Sequence, residues 1–195
     1  MAKVIGIIRE EHRSIATVLQ GAQLLLKEIR DHGATVDPRV FWAMLHYLDT
    51  FAERLHHPKE DHFLFHALKQ RTGEAAGVIR ELESEHARGI EEIRHLEQRL
   101  TRFQVEGQSA FPEFSEALER FIRGYREHMR KEEDVVLPLA LKALSEADYE
   151  QIDRAFEENR DPLASGREEK DFRRLFERIV NLAPPPIGVG PAVTR

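Results

Sequence analysis

The chain contains no cysteine among its 195 residues. Disulfide bonds, thiolate catalysis and cysteine-based zinc or iron–sulfur sites are therefore excluded, which leaves imidazole and carboxylate groups as metal ligands. It also lacks any run approaching the roughly 18 apolar residues that a membrane-spanning helix needs. Charges of both signs are interspersed and sum to −6, so no basic face indicates nucleic acid or anionic lipid as a partner. A cytoplasmic protein with neither a nucleic-acid nor a membrane partner is expected.

The main signal is a repeated pair of a histidine and a glutamate four residues later. His56 precedes Glu60, and at an offset of 72 residues His128 precedes Glu132. In a helix, both members of such a pair lie on one face and can reach one point. This spacing is typical of a metal site.

A second repeat precedes each pair. Glu11–His12 corresponds to Glu85–His86 at an offset of 74 residues. The chain therefore carries the order His, then His-x-x-x-Glu, twice, which indicates a duplicated plan.

Apolar residues recur at helical spacing in four segments of about 30 residues joined by short loops. We predict helices over residues 2–30 and 38–71, a third ending near residue 106 and a fourth ending near residue 144. Long helices with short connections predict an all-α fold, an antiparallel up-down-up-down four-helix bundle. The repeated histidines and glutamates lie on the inward stripes, so the bundle would bring all of them to one layer.

The same stripes predict which side chains turn inward beyond each motif. Phe63 and Ala67 are the expected inward residues on the second helix, and Val135 and Leu139 on the fourth. Pro58 removes a backbone donor inside the first motif, which predicts a kink or a widened turn there.

Past residue 144 the sequence changes character. Ser145 to Asp148 has the form of a capping box before one short helix, and a second short apolar stripe begins at Phe172. Residues 184–191 are rich in proline and glycine and predict an extended tail. We therefore divide the chain into a bundle, residues 1–144, and a C-terminal helical appendage with its tail, residues 145–195, which caps the bundle or contributes to a dimer surface.

Buried glutamates indicate bound cations, because an ionised carboxyl in a core is costly unless it is paired or coordinates a metal. Four imidazoles and two carboxylates suit two divalent ions with each glutamate able to bridge them. Nitrogen and oxygen donors without thiolate favour iron, with manganese and zinc as alternatives. The ligands are too few to fill two coordination shells, so open positions for small ligands are expected.

This pattern resembles hemerythrin and the wider hemerythrin-like HHE cation-binding domains over about residues 5–144. The resemblance implies a four-helix bundle holding two non-haem iron ions with oxo or hydroxo and carboxylate bridges, Glu60 and Glu132 being the carboxylate bridges. Carried over by position, the implied ligands are His12, His56, Glu60, His86, His128 and Glu132.

Two departures from the oxygen-carrying hemerythrins bear on function. Ile90 stands where those proteins have a second histidine on the third helix, and Glu133 stands where they have an aspartate on the fourth, with Glu132 the better-placed carboxylate in this chain. Fewer histidines favour oxidative chemistry over reversible oxygen carriage. The resemblance implies a protein that binds or reacts with O2, NO or peroxide. Weak redox enzyme activity toward peroxide or NO is left open, and so is a homodimer. The alternative is an iron- or redox-responsive sensing or partner-binding module without turnover.

Other candidate residues receive plainer interpretations. His57 is expected to be partly exposed, with an extra-ligand role as the alternative. Tyr125 is equally consistent with ordinary core and with a hydrogen bond to a metal ligand. Glu11 and Glu85 are expected to be solvated, with hydrogen bonding to an imidazole N–H as the alternative. Surface positions are predicted for His32, His46, His62, His66 and His95.

A ferritin-like carboxylate site is the competing constellation. It requires Glu-x-x-His pairs, which occur at Glu53–His56 and Glu83–His86. These glutamates have no counterparts on the other two helices in the same register, so the histidine-rich site is favoured.

Overall fold

The computed structural model describes residues 3–157, and within this range every regular element is helical and no strand occurs. The all-α prediction is confirmed there. The predicted second short helix and the proline- and glycine-rich tail lie outside the described residues. The helices are α1 (Lys3–His32), α2 (residues 38–71), α3 (Ala76–Glu106), α4 (residues 111–143) and α5 (Glu146–Glu157).

Local sequence explains where the helices begin and end. The Asp37 carboxylate accepts a hydrogen bond from the Arg39 amide at 2.9 Å and so caps α2, with Pro38 in the first turn. Gly33 and Gly107 follow α1 and α3 with φ of 64° and 69°, a conformation that glycine adopts without strain. The helix bounds therefore agree closely with those predicted.

Both helices that carry a His-x-x-x-Glu motif contain wide, π-helical turns. Helix α2 runs as α-helix over Pro38–Tyr47, π-helix over Leu48–His56, α-helix over His57–Lys59, π-helix over Glu60–Phe65 and α-helix over His66–Arg71. Helix α4 is α-helical over Phe111–Lys131, π-helical over Glu132–Val136 and α-helical over Leu137–Ala143. The widened turn predicted beside Pro58 is confirmed.

These wide turns shift the inward positions beyond each motif by one residue. Phe63 is 40% exposed whereas Leu64 is fully buried, and Val135 is 39% exposed whereas Val136 is fully buried. The predicted inward orientation of Phe63 and Val135 is therefore wrong, because it assumed a regular turn of 3.6 residues, and a π-helical turn takes in more. One turn further on, the shift is the same: Leu68 and Ala140 are buried, and Ala67 and Leu139 only partly.

A polar layer divides the apolar core in two. Each cluster is made of residues from several helices. One includes Ile15 on α1 and Met129 on α4, and the other includes Val4 on α1 and Phe156 on α5. Buried histidines and glutamates lie between the two clusters. A layer of buried ionisable groups is costly unless those groups are paired or coordinate a metal, so it marks the candidate site.

Side-chain contacts show how α1 and α4 lie against each other. Near the end of α1, Arg30 donates to Ser115 Oγ at the start of α4 at 2.5 Å, and near its beginning His12 pairs with Glu133 at 2.8 Å. The two helices therefore run side by side in opposite directions.

Within residues 3–157, none of the helices is long and apolar enough to cross a bilayer.

Helix α5 is the first of the two predicted short helices, and its capping box is present. The Asp148 carboxylate accepts from the Ser145 amide at 2.8 Å, while Ser145 Oγ accepts from the Asp148 amide at 3.3 Å. The helix lies against the bundle, because Lys59 Nζ donates to the Ala155 carbonyl at 2.5 Å.

Asp153 on α5 caps the start of α1, and its loss should lower stability. Its carboxylate accepts hydrogen bonds from the amides of Val4 at 2.7 Å and Lys3 at 3.3 Å. Because these donors have no partner inside the helix, we expect Asp153→Ala to lower the free energy of unfolding by about 1 kcal/mol. Urea denaturation measures this. The exposed Glu150→Ala on the same helix serves as control, and equal stability of the two variants would contradict the cap.

Candidate metal centre

The structure brings the six predicted side chains together in the polar layer, and all six are buried. Helices α1 and α3 each supply one histidine, and α2 and α4 each supply a histidine and a glutamate. These residues are His12, His56, Glu60, His86, His128 and Glu132.

The Glu132 carboxylate lies between the two halves of the site. Its Oε2 is 3.3 Å from His12 Nε2, and its Oε1 is 3.3 Å from His128 Nε2 and 3.7 Å from His86 Nε2. One carboxylate therefore reaches imidazoles on three helices.

Glu60 lies in an equivalent position. Its Oε2 is 3.4 Å from His56 Nε2 and 3.8 Å from His86 Nε2, and its Oε1 is 4.0 Å from His12 Nε2. Two ligand atoms at right angles on one ion, each about 2.1 Å from it, lie about 3 Å apart, so these spacings suit shared ions.

The potential ligand atoms form two overlapping groups. His12, His56 and Glu60 form one, and the other comprises His57, Glu60, His86 and His128, with the ligand atoms of each group within 4.8 Å of one another. Glu60 belongs to both groups, which is the geometry of a bridge between two ions.

Every one of the four predicted histidines has a carboxylate at Nδ1. A carboxylate only accepts, so Nδ1–H donates to it and Nε2 keeps its lone pair toward the centre. The oxygen–nitrogen distances are 2.7 Å for Glu11–His56 and 2.8 Å for Glu85–His128, Glu133–His12 and Asp61–His86.

These pairs correct two expectations and reveal two residues that were missed. Glu11 is 3% exposed, so its predicted solvation is wrong, and Glu85 is half-buried. The alternative, hydrogen bonding to an imidazole, is confirmed for both. Asp61 and Glu133 were not predicted as partners, although each directly follows the glutamate of its motif, a signal that the repeat contained.

The atoms that face the centre lack hydrogen-bond partners among the described residues. They are His12 Nε2, His56 Nε2 and both carboxylate oxygens of Glu60 and Glu132. His86 Nε2 and His128 Nε2 face each other at 3.1 Å. Two lone pairs at this distance repel unless a cation or a proton lies between them, so the donor set fits bound metal.

The two central carboxyls influence each other's ionisation. Burial and the charge of Glu132 raise the pKa of Glu60 well above its usual range. Burial also raises the pKa of Glu132, but the imidazoles of His128, His12 and His86 outweigh it and hold that pKa well below its usual range. Without metal, protons must offset the charge that divalent ions would otherwise neutralise.

Comparison with known proteins agrees with this geometry. The profile of the hemerythrin HHE cation binding domain matches residues 3–140. The chain belongs to the hemerythrin HHE family. No curated protein and no solved structure matches it. Membership indicates that this HHE domain binds metal, and iron in particular.

His57 is buried in this HHE domain, so its predicted partial exposure is wrong. Its ring stacks on His86 with centroids 4.0 Å apart. His57 Nδ1 is 3.1 Å from Glu53 Oε2, and its Nε2 is 3.1 Å from the Tyr125 hydroxyl. The wide turn that ends at His56 changes the rotation per residue, which lets both neighbours turn inward.

Tyr125 and Glu53 complete this second hydrogen-bonded cluster. The Tyr125 hydroxyl is 3.2 Å from Glu53 Oε1, so Tyr125 contacts a candidate ligand, His57, rather than filling apolar core alone. Burial raises the pKa of Glu53 to about 7.

The ferritin-like constellation is not assembled. The Glu53 carboxylate lies in the cluster with His57 and Tyr125, and Glu83 pairs with Lys69 Nζ at 2.5 Å. Neither glutamate joins the six central groups. The histidines predicted at the surface, His32, His46, His62, His66 and His95, are exposed.

Gly89 on α3 makes room for Glu53, and adding a side chain should destabilise the protein. A Cβ at Gly89 would lie 1.9 Å from Glu53 Oε2. We expect Gly89→Ala to lower the free energy of unfolding by about 1–3 kcal/mol. With Glu53→Ala already present, the same change should raise it by up to about 1 kcal/mol, because alanine favours a helix over glycine.

A thermal or urea double-mutant cycle measures this reversal of sign. Gly124→Ala is the matched control, since an added Cβ there has no described atom within 4 Å. If Gly89→Ala cost the same with and without Glu53, the close approach would not be its cause.

Proposed function

We propose that this HHE domain holds two iron ions and uses them to bind or react with a small ligand. Six residues hold the ions. Glu60 and Glu132 act as bridges, and the four histidines are His12, His56, His86 and His128. His57 is a candidate seventh ligand. The observation that carries the proposal is the set of buried, unpartnered Nε2 and carboxylate oxygen atoms facing one point.

The surrounding side chains would hold these ligands ready. Four carboxylates at Nδ1 fix the tautomer and the ring orientation of the imidazoles and raise the basicity of Nε2. When bound, iron at this site would offer open positions to O2, NO or peroxide and exchange electrons with them. The hydroxyl of Tyr125 and the carboxyl of Glu53 place protons beside that space.

The arrangement of the four long helices is also part of this proposal. An antiparallel four-helix bundle over residues 1–144 is supported by the opposed directions of α1 and α4 and by convergence of ligands from four helices. The separate C-terminal appendage, the cytoplasmic location, the homodimer and the absence of nucleic-acid and membrane partners stay predictions.

Metal content tests the proposal. Protein purified from iron-supplemented cells should contain about two irons per chain, and its absorption spectrum should change with O2, peroxide or NO. His128→Ala and Glu132→Ala should remove most of the metal, because each withdraws a donor from a buried site. The exposed His46→Ala serves as control. Two metals retained by either core variant would overturn the ligand assignment.

A sensing role is the second candidate, and helix α5 supports it. The Phe156 ring meets His56 edge to face, with centroids 6.5 Å apart, so α5 touches the candidate centre. Metal binding that shifts His56 would therefore also displace Phe156 and α5. Iron-dependent protection of α5 amides from hydrogen exchange, without turnover of any of the three ligands, would favour sensing over chemistry.

A further inference from the structure

A cavity of about 450 Å³ reaches the candidate centre from the side where α2, α3 and α4 meet. Its inner end includes His57, Tyr125 and His128. A diatomic ligand would leave most of this space empty, since one water takes up about 30 Å³ and cavities of about 300–1,000 Å³ hold drug-sized molecules. The volume therefore suits a larger occupant.

The residues at the inner end of the cavity differ from their counterparts in the other half of the duplicated plan. At the offset of 74 residues Gly89 corresponds to Ile15, and at the offset of 72 residues His57 corresponds to Met129. Ile15 and Met129 are buried in the apolar core, whereas Gly89 and His57 line the cavity. Glycine and a polar ring thus replace two bulky apolar side chains on this side.

Arginines line the cavity. Arg88, Arg99 and Arg120 contribute, against the carboxyl groups of Glu53, Glu85 and Glu92. Glu85 is already engaged by His128 at 2.8 Å and by Lys131 at 2.7 Å.

The arginines are only partly paired with acids. Arg99 Nε is 3.5 Å from Glu113, and Arg120 Nη1 is 3.9 Å from Glu116, both long for ion pairs. Arg88 donates to the neutral Ser84 hydroxyl at 2.6 Å. Guanidinium groups therefore remain available to an anion.

Apolar side chains form another part of the cavity wall. Leu96, Ala117 and Phe121 line the cavity and are otherwise buried. A ligand that carries both a negative group and an apolar body would therefore find partners for each.

We propose that this cavity binds an organic carboxylate of about ten non-hydrogen atoms, with its carboxylate on the arginines and its apolar body against Leu96 and Phe121. The far end of such a ligand would lie beside His57 and Tyr125. The inference rests on the proposed function and deepens it, because it names an amphipathic organic acid as the molecule presented to the centre.

Octanoate is the probe, titrated calorimetrically into the metal-loaded protein. We expect saturable binding of one octanoate per chain and at least tenfold weaker binding of the uncharged 1-octanol. The double variant Arg88→Gln/Arg120→Gln should weaken octanoate binding at least tenfold. The matched control, Arg94→Gln/Arg123→Gln, changes two exposed arginines on the same helices that do not line the cavity, and should leave affinity unchanged.

A second variant tests the wall rather than the charge. Ala117→Leu fills part of the cavity and should also weaken octanoate binding at least tenfold, while its melting temperature shows whether it folds. Absence of saturable binding, equal affinity for octanol, or equal loss in the control pair would each overturn the proposal.

Metal content measured on the same samples separates the two hypotheses. Two metals per chain without octanoate binding would leave the proposed function standing and overturn the cavity ligand. Octanoate binding to protein that takes up no metal would overturn the proposed function and show the cavity to be a site of its own.

Discussion

Glu60→Gln is expected to abolish binding of both metal ions and yet to stabilise the metal-free protein. Glu60 lies in both candidate ligand groups, so its loss affects both ions. In the metal-free protein, burial and Glu132 raise the pKa of Glu60, so ionising it is unfavourable. A neutral glutamine of the same shape should raise the free energy of unfolding at pH 8 by about 1–2 kcal/mol.

Glu132→Gln is the matched comparison, because the same substitution should have the opposite effect there. The imidazoles of His128, His12 and His86 hold the pKa of Glu132 well below its usual range, although burial opposes them. Removing this carboxylate leaves buried imidazolium groups unpaired and should lower the free energy of unfolding by about 3 kcal/mol.

Metal analysis and urea denaturation of the chelated proteins test the pair. Both variants should lose metal, and only Glu60→Gln should be more stable than the metal-free parent. A Glu60→Gln protein that keeps two ions would contradict the bridging assignment, and equal destabilisation of both variants would contradict the charge argument.

The stabilities of the metal-free and metal-loaded proteins are expected to change with pH in opposite directions. In the metal-free protein, burial lowers the pKa of His128, but Glu132 and Glu85 outweigh it and raise that pKa to about 10. Burial raises the pKa of Glu53 to about 7. Both groups hold a proton more tightly in the folded chain than in the unfolded one, so their stabilisation is lost as pH rises through these values.

From pH 7 to 9, the metal-free protein should therefore lose at least about 1 kcal/mol of stability. The metal-loaded protein should gain in the same window, because bound metal requires neutral imidazoles and ionised carboxylates and so competes less with protons at higher pH. Burial lowers the pKa of His56 and His57, and both are neutral in this window. Urea denaturation with chelator and with excess iron at pH 7, 8 and 9 measures both slopes, and parallel slopes would contradict proton competition.

The sequence was sufficient to predict the four long helices and the histidines and glutamates of the repeat that converge in the polar layer. Apolar periodicity and caps such as Asp37 place the helix ends, and the repeat identifies His56–Glu60 and His128–Glu132 as equivalent. Both kinds of signal are local or periodic, so they survive without knowledge of packing.

Register beyond the motifs could not be predicted, because it depends on turns that are not regular. A period of 3.6 residues turns Phe63 inward and His57 aside, whereas the structure exposes Phe63 and buries His57. Pro58 indicated a widened turn but not how many residues the wide turns would take in, and in α4 the π-helical segment Glu132–Val136 ends two residues before Pro138.

The partners of the imidazoles and the cavity escaped prediction for another reason. Asp61 reaches His86 on another helix, and Gly89 matters because Glu53 approaches it from α2. Such contacts depend on how helices pack, which periodicity along one helix does not encode.

The wide turns also reconcile the lengths of the four long helices. An α-helix rises about 1.5 Å per residue, and α2 and α4, at residues 38–71 and 111–143, contain a few more residues than α1 and α3. A π-helical turn takes in an extra residue with little added length, so the surplus is absorbed at the metal layer rather than carried to the helix ends. Deleting one residue from such a turn would therefore convert it into a regular α-helical turn, barely shorten the helix, and leave the side chains beyond it on their present faces.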